Sequence, residues 1–119
     1  MKLLIVDDAK LIHFLVKKIL NASPIEGIEF ADAYDGNEAL LIVDEFQPDL
    51  VLLDVVMPNK DGISTLQDIK TKYPSMHVVM VSSLGTEDKV SEAIKLGANA
   101  FIQKPFDEEE LSNHVRNVI

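Results

Sequence analysis

The sequence has 119 residues, which is enough for one domain with its own core. It has no cysteine, which excludes disulfides and thiolate metal sites. Eleven basic residues against twenty acidic ones give a net charge of −9, a field that would repel a nucleic-acid backbone. No apolar segment approaches the length of a membrane-spanning helix, and we expect a single cytoplasmic domain over residues 1–119 that contacts neither membrane nor nucleic acid.

Strand-like and helix-like segments alternate five times along the chain. Short apolar runs predict strands at Leu3–Val6, Ile28–Ala33, Leu50–Asp54, Val78–Ser82 and Ala100–Gln103. Apolar residues at helical spacing predict helices at Lys10–Asn21, at Asn37–Phe46, from Gly62 to just before Pro74, at Glu87–Leu96, and from Asp107 almost to the C-terminus. This alternation predicts an α/β fold in which a doubly wound, five-stranded parallel sheet is flanked by five helices.

The composition of the strands indicates their order in the sheet. Strands 1, 3 and 4 are apolar throughout, which is typical of the interior of a parallel sheet. Strand 2 alternates apolar and polar residues and strand 5 is short and mixed, so both suit the edges. The order 2-1-3-4-5 satisfies these conditions. It places the switch point between strands 1 and 3, where open α/β folds bind their ligands.

Reactive polar side chains stand at the ends of four strands. Asp7 and Asp8 follow strand 1, Asp54 ends strand 3, Ser82 ends strand 4, and Lys104 follows strand 5. Because the C-terminal ends of parallel strands meet at one edge, we expect these five side chains to converge. Three neighbouring carboxylates need a compensating cation, and Mg²⁺ suits them because it combines a few protein oxygens with water and phosphate. A carboxylate can also act as a nucleophile toward phosphorus when a metal and a lysine balance the charge.

The chain resembles the response-regulator receiver domains of two-component signalling over its whole length, residues 1–119. The resemblance rests on an ordered set of motifs: Val6-Asp7-Asp8, Leu53-Asp54-Val55-Val56-Met57-Pro58, Asp61-Gly62, Val81-Ser82-Ser83, Gly97-Ala98 and Lys104-Pro105-Phe106. Each motif alone is weak, whereas the ordered set is specific. Receiver domains share the strand order 2-1-3-4-5, so the order argued above and the resemblance are not independent predictions.

The resemblance implies a role for each residue of the expected site. Asp54 would accept a phosphoryl group from a histidine kinase or a histidine phosphotransfer protein. Mg²⁺ would bind Asp8 and Asp54 directly, Asp7 mainly through water, and the backbone carbonyl of Val56. Lys104 would pair with the phosphoryl oxygens. Beyond its own phosphorylation and dephosphorylation, such a protein catalyses nothing.

The resemblance also implies a conformational switch. Ser82 would move toward the phosphoryl group, and Phe101 occupies the position of an aromatic residue that turns inward on activation. The Lys104–Pro105 peptide bond is expected to be cis and to aim the lysine. The surface of helix 4, strand 5 and helix 5 would then bind a protein target, for example in chemotaxis. The sequence ends with helix 5, so we expect no output domain. We also expect a monomer.

Two features are particular to this sequence. Val56 and Leu84 are apolar where many receiver domains carry polar groups, and we hypothesise that they slow hydrolysis of the phosphoryl group. On a helical wheel, Phe14 lies among Lys10, His13 and Lys17, opposite an apolar face made of Leu11, Ile12, Leu15, Val16, Ile19 and Leu20. An exposed aromatic residue in basic surroundings suits docking of the phosphodonor protein, and a lone exposed apolar residue is the alternative.

Other functions remain open at this point. A phosphorelay intermediate, or a receiver that is part of a longer regulator, would carry the same site. A Mg²⁺-dependent phosphohydrolase with an aspartyl nucleophile would need a second carboxylate where Val56 stands. A flavodoxin-like flavin carrier would need a loop rich in hydroxyl groups and glycine after strand 1, where this chain has Asp7-Asp8.

Overall fold

Five parallel strands form the centre of the fold in a computed structural model that describes residues 1–118. The strands of this part of the chain are β1 Lys2–Val6, β2 Glu29–Ala33, β3 Leu50–Leu53, β4 His77–Ser82 and β5 Ala100–Gln103. They pair in the order β2-β1-β3-β4-β5, and every pair is parallel. The predicted α/β class and strand order are therefore confirmed.

Helices connect successive strands, as the alternating pattern predicts. Within residues 1–118 they are α1 Lys10–Asn21, α2 Gly36–Phe46, α3 Gly62–Lys72, α4 Glu87–Lys95 and α5 Glu108–Arg116. None of them is both long enough and apolar enough to cross a bilayer. Asp54, predicted as the last residue of strand 3, lies just after β3, because the pairing of β3 with β1 ends at Val6 and Leu53. Its side chain therefore stands at the edge of the sheet.

Side chains of the sheet alternate between two apolar layers. In β1, Leu4 and Val6 face a layer that also contains residues of α2, α3 and α4, which we call the α2 layer. Leu3 and Ile5 face the opposite layer, which contains residues of α1 and α5. Because β1, β3 and β4 are covered on both faces, their sequences are almost continuously apolar.

Side-chain caps begin most of the helices. Asp35, Thr86 and Asp107 accept hydrogen bonds from the backbone N–H three residues later, at 2.8, 3.3 and 2.7 Å. Helix α1 differs: its N-cap is Ala9, and within residues 1–118 no side chain caps it. Asp8 is therefore not an N-cap, the ordinary role of an aspartate just before a helix, and its carboxylate is available to the site.

Helix α1 is rotated relative to the wheel prediction. Val16 and Leu20 are buried as predicted, but Leu11, predicted on the same apolar face, is 64 % exposed. His13, predicted on the exposed face, is only 3 % exposed. The prediction was wrong for these two residues because polar partners at the ends of β1 and β2 bind the imidazole and draw that side of the helix inward.

Candidate functional site

The C-terminal edge of the sheet brings the carboxylates together with the lysine. Asp7 and Asp54 are buried, whereas Asp8 is exposed. One oxygen from each carboxylate lies within 4.8 Å of the other two, and we call these three residues the acidic cluster. Lys104 Nζ lies 2.6 Å from Asp7 Oδ2 and 3.5 Å from Asp54 Oδ2. One cation thus contacts both buried carboxylates.

Backbone N–H groups orient the two buried carboxylates. Asp7 Oδ1 accepts a hydrogen bond from the backbone N–H of Ala9 at 2.9 Å. Asp54 Oδ1 accepts one from the backbone N–H of Val55 at 2.8 Å. In both residues the other oxygen, Oδ2, is the one that contacts Lys104. The two Oδ2 atoms therefore point into the site.

The charge on Asp54 is only partly balanced in this site. Burial is the main cause that raises its pKa, and the positive charge of Lys104 opposes it. The Asp7 carboxylate raises the pKa further, while the nearby Ser82 hydroxyl and the hydrogen bond from the Val55 backbone N–H lower it. The net pKa of Asp54 lies above the ordinary aspartate value. The ionised side chain would therefore be stabilised by an added cation.

The donor atoms of the acidic cluster fit Mg²⁺. They are hard carboxylate oxygens, which this ion prefers, and their mutual spacing allows a single ion to reach all three. Since Asp8 is exposed, the cluster opens toward solvent and leaves room for water or phosphate oxygens in the remaining coordination positions. Asp7, Asp8 and Asp54 are therefore the residues that would hold the ion.

We predict that Asp54→Asn makes the Mg²⁺-free protein more stable. Because the pKa of Asp54 is higher in the folded chain than in the unfolded chain, ionisation of this carboxylate destabilises the fold. The difference between variant and wild type should grow as the pH rises from 3.8, the ordinary aspartate value, through the raised pKa, and stay constant above it. Urea unfolding followed by circular dichroism in EDTA measures this difference. A variant that is less stable at neutral pH would contradict the prediction.

Ser82 and Phe101, the two predicted switch residues, lie on adjacent strands. Ser82 is 1 % exposed, and its Oγ accepts a hydrogen bond from the backbone N–H of Leu84 at 3.2 Å. Phe101 is half-buried, pairs in register with Met80, and packs against the α2 layer. Ser82 thus lies at the same C-terminal edge of the sheet as Asp54, and Phe101 connects β5 with the layer that contains α4.

The backbone around β5 fixes the position of Lys104. Its N–H donates to the Ser82 carbonyl at 2.9 Å, and the Lys104–Pro105 peptide bond is cis. The Gln103 side chain donates to the Ser83 carbonyl at 3.0 Å and so ties β5 to the loop after β4. Sequence reasoning missed Gln103, because a polar residue at the end of an edge strand gives no signal of its partner.

The loop between β3 and α3 packs closely on Asp54. A Cβ added to Gly62 would overlap the Asp54 carbonyl oxygen and lie 2.8 Å from Val55 Cα. The N–H of Gly62 donates to the Val55 carbonyl at 2.8 Å, and Asp61 caps α3 by accepting from the N–H of Ser64 at 2.7 Å. The Asp61-Gly62 motif thus has two roles. Asp61 caps helix α3, and Gly62, which has no side chain, allows the backbone to approach Asp54 closely.

Two exposed apolar side chains flank the site. Val56 is 54 % exposed and Leu84 is 41 % exposed. Both line a groove of about 280 Å³ that also contains side chains of α3 and α4. Val56 follows Asp54 by two residues, and coordination of a metal by its backbone carbonyl stays a prediction.

A second polar cluster, which the sequence did not indicate, connects α1 and β2 with the backbone of Asp7. His13 Nε2 is 2.8 Å from the backbone oxygen of Asp7, and Nδ1 is 2.7 Å from Asp32 Oδ1. Lys17 Nζ is 2.7 Å from Asp32 Oδ2, and the Tyr34 ring stacks on the imidazole at 4.4 Å. We call His13, Lys17, Asp32 and Tyr34 the His13 cluster.

The His13 cluster changes the predicted docking face of α1. Phe14 is 61 % exposed and Lys10 is exposed, as a docking face requires. His13 is buried and Lys17 is held in an ion pair, so neither is the free basic group that the wheel predicted. The rotation of α1 instead exposes Leu11. The outer face of α1 is therefore more apolar and less basic than predicted.

Known proteins match this chain over nearly its whole length. A family model described as the response regulator receiver domain matches residues 3–116. The chemotaxis protein CheY of Listeria monocytogenes is 43 % identical over 111 residues, which are 93 % of this chain and 92 % of that protein. The chemotaxis protein CheY of Halobacterium salinarum is 37 % identical over 99 % of this chain and 96 % of that protein.

Solved structures show the same similarity. A chain of the CheX–CheY–BeF3–Mg²⁺ complex from Borrelia burgdorferi matches with a TM-score of 0.91 at 34 % identity, covering 99 % of this chain and 88 % of that one. The receiver domain of NtrX from Brucella abortus matches with a TM-score of 0.87 at 36 % identity, covering 98 % of this chain and 96 % of that one.

Proposed function

Because the chain belongs to the response-regulator receiver family, we propose that it is a phosphorylation-dependent switch of a two-component system, with Asp54 as the phosphoacceptor. One observation carries this proposal: the Asp54 carboxylate belongs to the acidic cluster, and its Oδ2 atom lies 3.5 Å from the ammonium group of Lys104. A nucleophilic oxygen, a candidate metal site and a cation therefore surround one point, as phosphoryl transfer to a carboxylate requires.

Asp54 Oδ2 is the nucleophile in the proposed reaction, because Oδ1 is engaged by the Val55 N–H. It attacks the phosphorus of a phosphohistidine on a histidine kinase or phosphotransfer protein. The O–P bond forms as the P–N bond breaks, and the electron pair of that bond leaves with the imidazole. Bound Mg²⁺ would offset the negative charge of the phosphoryl oxygens. Lys104 would add a second positive charge, and Ser82 would donate a hydrogen bond.

The proposed switch starts from contacts of Ser82. Its Oγ accepts from the Leu84 N–H, so a move of the hydroxyl toward the phosphoryl group would release the loop between β4 and α4. Repacking of Phe101 would then shift the α4–β5–α5 surface between two states. The charge added at Asp54 by phosphorylation would thus bias a two-state equilibrium of this surface. We propose that this surface binds a protein target in the cytoplasm, with the protein acting as a monomer. Chemotaxis is the pathway that the names of the relatives favour.

Incubation with Mg²⁺ and acetyl phosphate tests the proposed class of function. A switch takes up one phosphoryl group per chain in an acid-stable, base-labile form, which intact-mass spectrometry detects. Continuous turnover of many phosphoesters would support a phosphohydrolase instead, and a yellow cofactor that copurifies would support a flavin carrier. Val56, which stands where a phosphohydrolase needs its second carboxylate, favours the switch.

We predict that Val56→Asn shortens the lifetime of the phosphorylated protein by roughly tenfold, because a polar group beside the phosphoryl group can orient an attacking water. The wild type should lose its phosphoryl group slowly, since Val56 and Leu84 offer water no hydrogen bond from their side chains. Intact-mass spectrometry after removal of acetyl phosphate follows the loss. Leu41→Asn, at another exposed apolar residue, on α2, is the matched control. A wild-type lifetime of only seconds would contradict the hypothesis.

We propose that Phe14 and the adjacent Lys10 and Leu11 on α1 dock the protein that donates the phosphoryl group. Lys17 would contribute less than predicted, because Asp32 already binds it. We predict that Phe14→Ala slows phosphotransfer from the cognate donor by about tenfold and leaves phosphorylation by acetyl phosphate unchanged. The control is Leu41→Ala, which removes a similarly exposed side chain from α2. Equal slowing with both donors would exclude docking as the role of Phe14.

A further inference from the structure

His13 donates a hydrogen bond to the backbone of the acidic cluster. Its Nε2 lies 2.8 Å from the Asp7 carbonyl oxygen, and because a carbonyl oxygen can only accept, the hydrogen belongs to Nε2. That carbonyl is part of the peptide group that joins Asp7 to Asp8. The hydrogen bond therefore fixes the plane of the peptide group that joins the Cα atoms of Asp7 and Asp8. These two Cα atoms carry two of the three carboxylate side chains of the cluster.

The position of His13 is itself determined by the His13 cluster. Asp32 lies on β2 opposite Ile5 of β1, so the sheet fixes the carboxylate that binds Nδ1. Lys17 occupies the second oxygen of the same carboxylate. Burial raises the pKa of Asp32, but the hydrogen bonds and charges of Lys17 and His13 outweigh it, so the net pKa lies below the ordinary value. An ionised Asp32 thus accepts from Lys17 through one oxygen, and its other oxygen lies 2.7 Å from Nδ1 of His13.

The imidazole has little freedom to move away from Asp7. It is 3 % exposed, both of its nitrogens are bound, and Tyr34 covers one ring face with an interplanar angle of 30°. A buried polar side chain with every hydrogen-bonding group engaged is held in one orientation, because any other would leave a buried group unsatisfied. The Asp7 carbonyl is therefore held by a rigid donor.

We propose that His13 is a positioning residue for the Mg²⁺ site: it holds the Asp7–Asp8 peptide in the orientation in which both carboxylates reach one ion. The inference rests on the proposed Mg²⁺ site and adds a residue that touches neither metal nor phosphoryl group. Groups that orient metal ligands from outside the coordination sphere typically affect metal affinity about tenfold or more.

Two amide variants test the two hydrogen bonds of the imidazole, to the Asp7 carbonyl and to Asp32, one at a time. A glutamine amide reaches the place of Nε2, so His13→Gln keeps a donor for the Asp7 carbonyl. An asparagine amide reaches only the place of Nδ1, so His13→Asn keeps the contact with Asp32 and loses the one with Asp7. His77→Asn changes an exposed histidine at the start of β4, at the opposite end of the sheet, and is the matched control.

Mg²⁺ titration of the full-length variants, followed by backbone amide chemical shifts, tests the inference. We expect the Kd of His13→Asn to rise about tenfold, and those of His13→Gln and His77→Asn to stay within about threefold of wild type. In the Mg²⁺-free proteins, the Asp8 amide resonance should shift in His13→Asn and return toward its wild-type position in His13→Gln. A purely structural His13 would change stability but neither of these readouts in the folded protein.

The outcomes separate this inference from the proposed function. If folded His13→Asn binds Mg²⁺ as tightly as wild type, the positioning role is excluded and the metal site stands. If wild type itself binds no Mg²⁺, the metal site is wrong and the inference fails with it. Should His13→Asn not fold, Asp32→Ala frees Nδ1 of the imidazole at a half-buried position, and the rigid positioning inferred here requires the Kd to rise in that variant; an unchanged Kd would exclude it.

Discussion

Replacing Lys104 by alanine should slow phosphorylation by acetyl phosphate roughly 100-fold, a typical loss when a buried charge-stabilising group is removed. Lys104 Nζ lies 3.5 Å from Asp54 Oδ2, and its side chain is 17 % exposed, so solvent screens its charge weakly. As a phosphoryl group is transferred to Asp54, this ammonium group would balance charge on its oxygens. Initial rates at saturating Mg²⁺ measure the effect, with the exposed Lys72→Ala as control.

The same variant should bind Mg²⁺ more tightly than wild type, by about threefold or more. Lys104 contacts Asp7 Oδ2 at 2.6 Å and thereby competes with the ion for one of its proposed ligands. General damage to the site would weaken both phosphorylation and Mg²⁺ binding. Slower phosphorylation together with tighter Mg²⁺ binding would therefore be due to the lost charge. An unchanged rate, or a loss of rate together with a loss of Mg²⁺ affinity, would contradict this role for Lys104.

Gly62→Ala should destabilise the protein by about 3 kcal/mol, at the upper end for overpacking of a buried contact. The new Cβ would overlap the Asp54 carbonyl oxygen, and backbone atoms on both sides of the contact leave no flexible group to move aside. The loop between β3 and α3 would have to shift. Asp54 would move with it, so phosphorylation should also be impaired. Urea unfolding followed by circular dichroism measures the loss of stability.

Gly85→Ala is the matched control for this prediction. A Cβ added to Gly85 would meet the far end of the Gln103 side chain, which can rotate away if it gives up its hydrogen bond to the Ser83 carbonyl. We therefore expect Gly85→Ala to lower the unfolding free energy by only about 1 kcal/mol, the contribution of one such hydrogen bond. Equal stability of the two alanine variants would show that the close packing of Gly62 against Asp54 does not constrain the loop.

The strand order and the location of the site could be predicted because strands that are buried on both faces of the sheet have almost continuously apolar sequences. Strands β1, β3 and β4 are apolar at nearly every position, so their central places follow from composition. A polar residue directly after such a run must lie at the edge of the sheet. Asp7 and Asp54 could therefore be assigned to one site before any contact was known, and Lys104 joined them because it follows strand 5 of the same parallel sheet.

The orientation of α1 could not be predicted in the same way. A helical wheel ranks faces by hydrophobicity, so it placed Leu11 inside and His13 outside. In the structure the buried face includes His13, because Asp32 and the Asp7 carbonyl satisfy both of its nitrogens. Those partners are 19 and 6 residues away in sequence and are brought together only by the pairing of β1 with β2. No local pattern encodes such a contact.

The central claim, that Asp54 accepts the phosphoryl group, is tested most directly by the intact mass of wild type and two variants after incubation with Mg²⁺ and acetyl phosphate. Asp54→Asn removes the proposed nucleophile. Asp49→Asn changes an exposed aspartate at the opposite end of the sheet, beside Lys2. Wild type and Asp49→Asn should each gain the mass of one phosphoryl group, and Asp54→Asn should gain none. An equal gain by Asp54→Asn would contradict the claim.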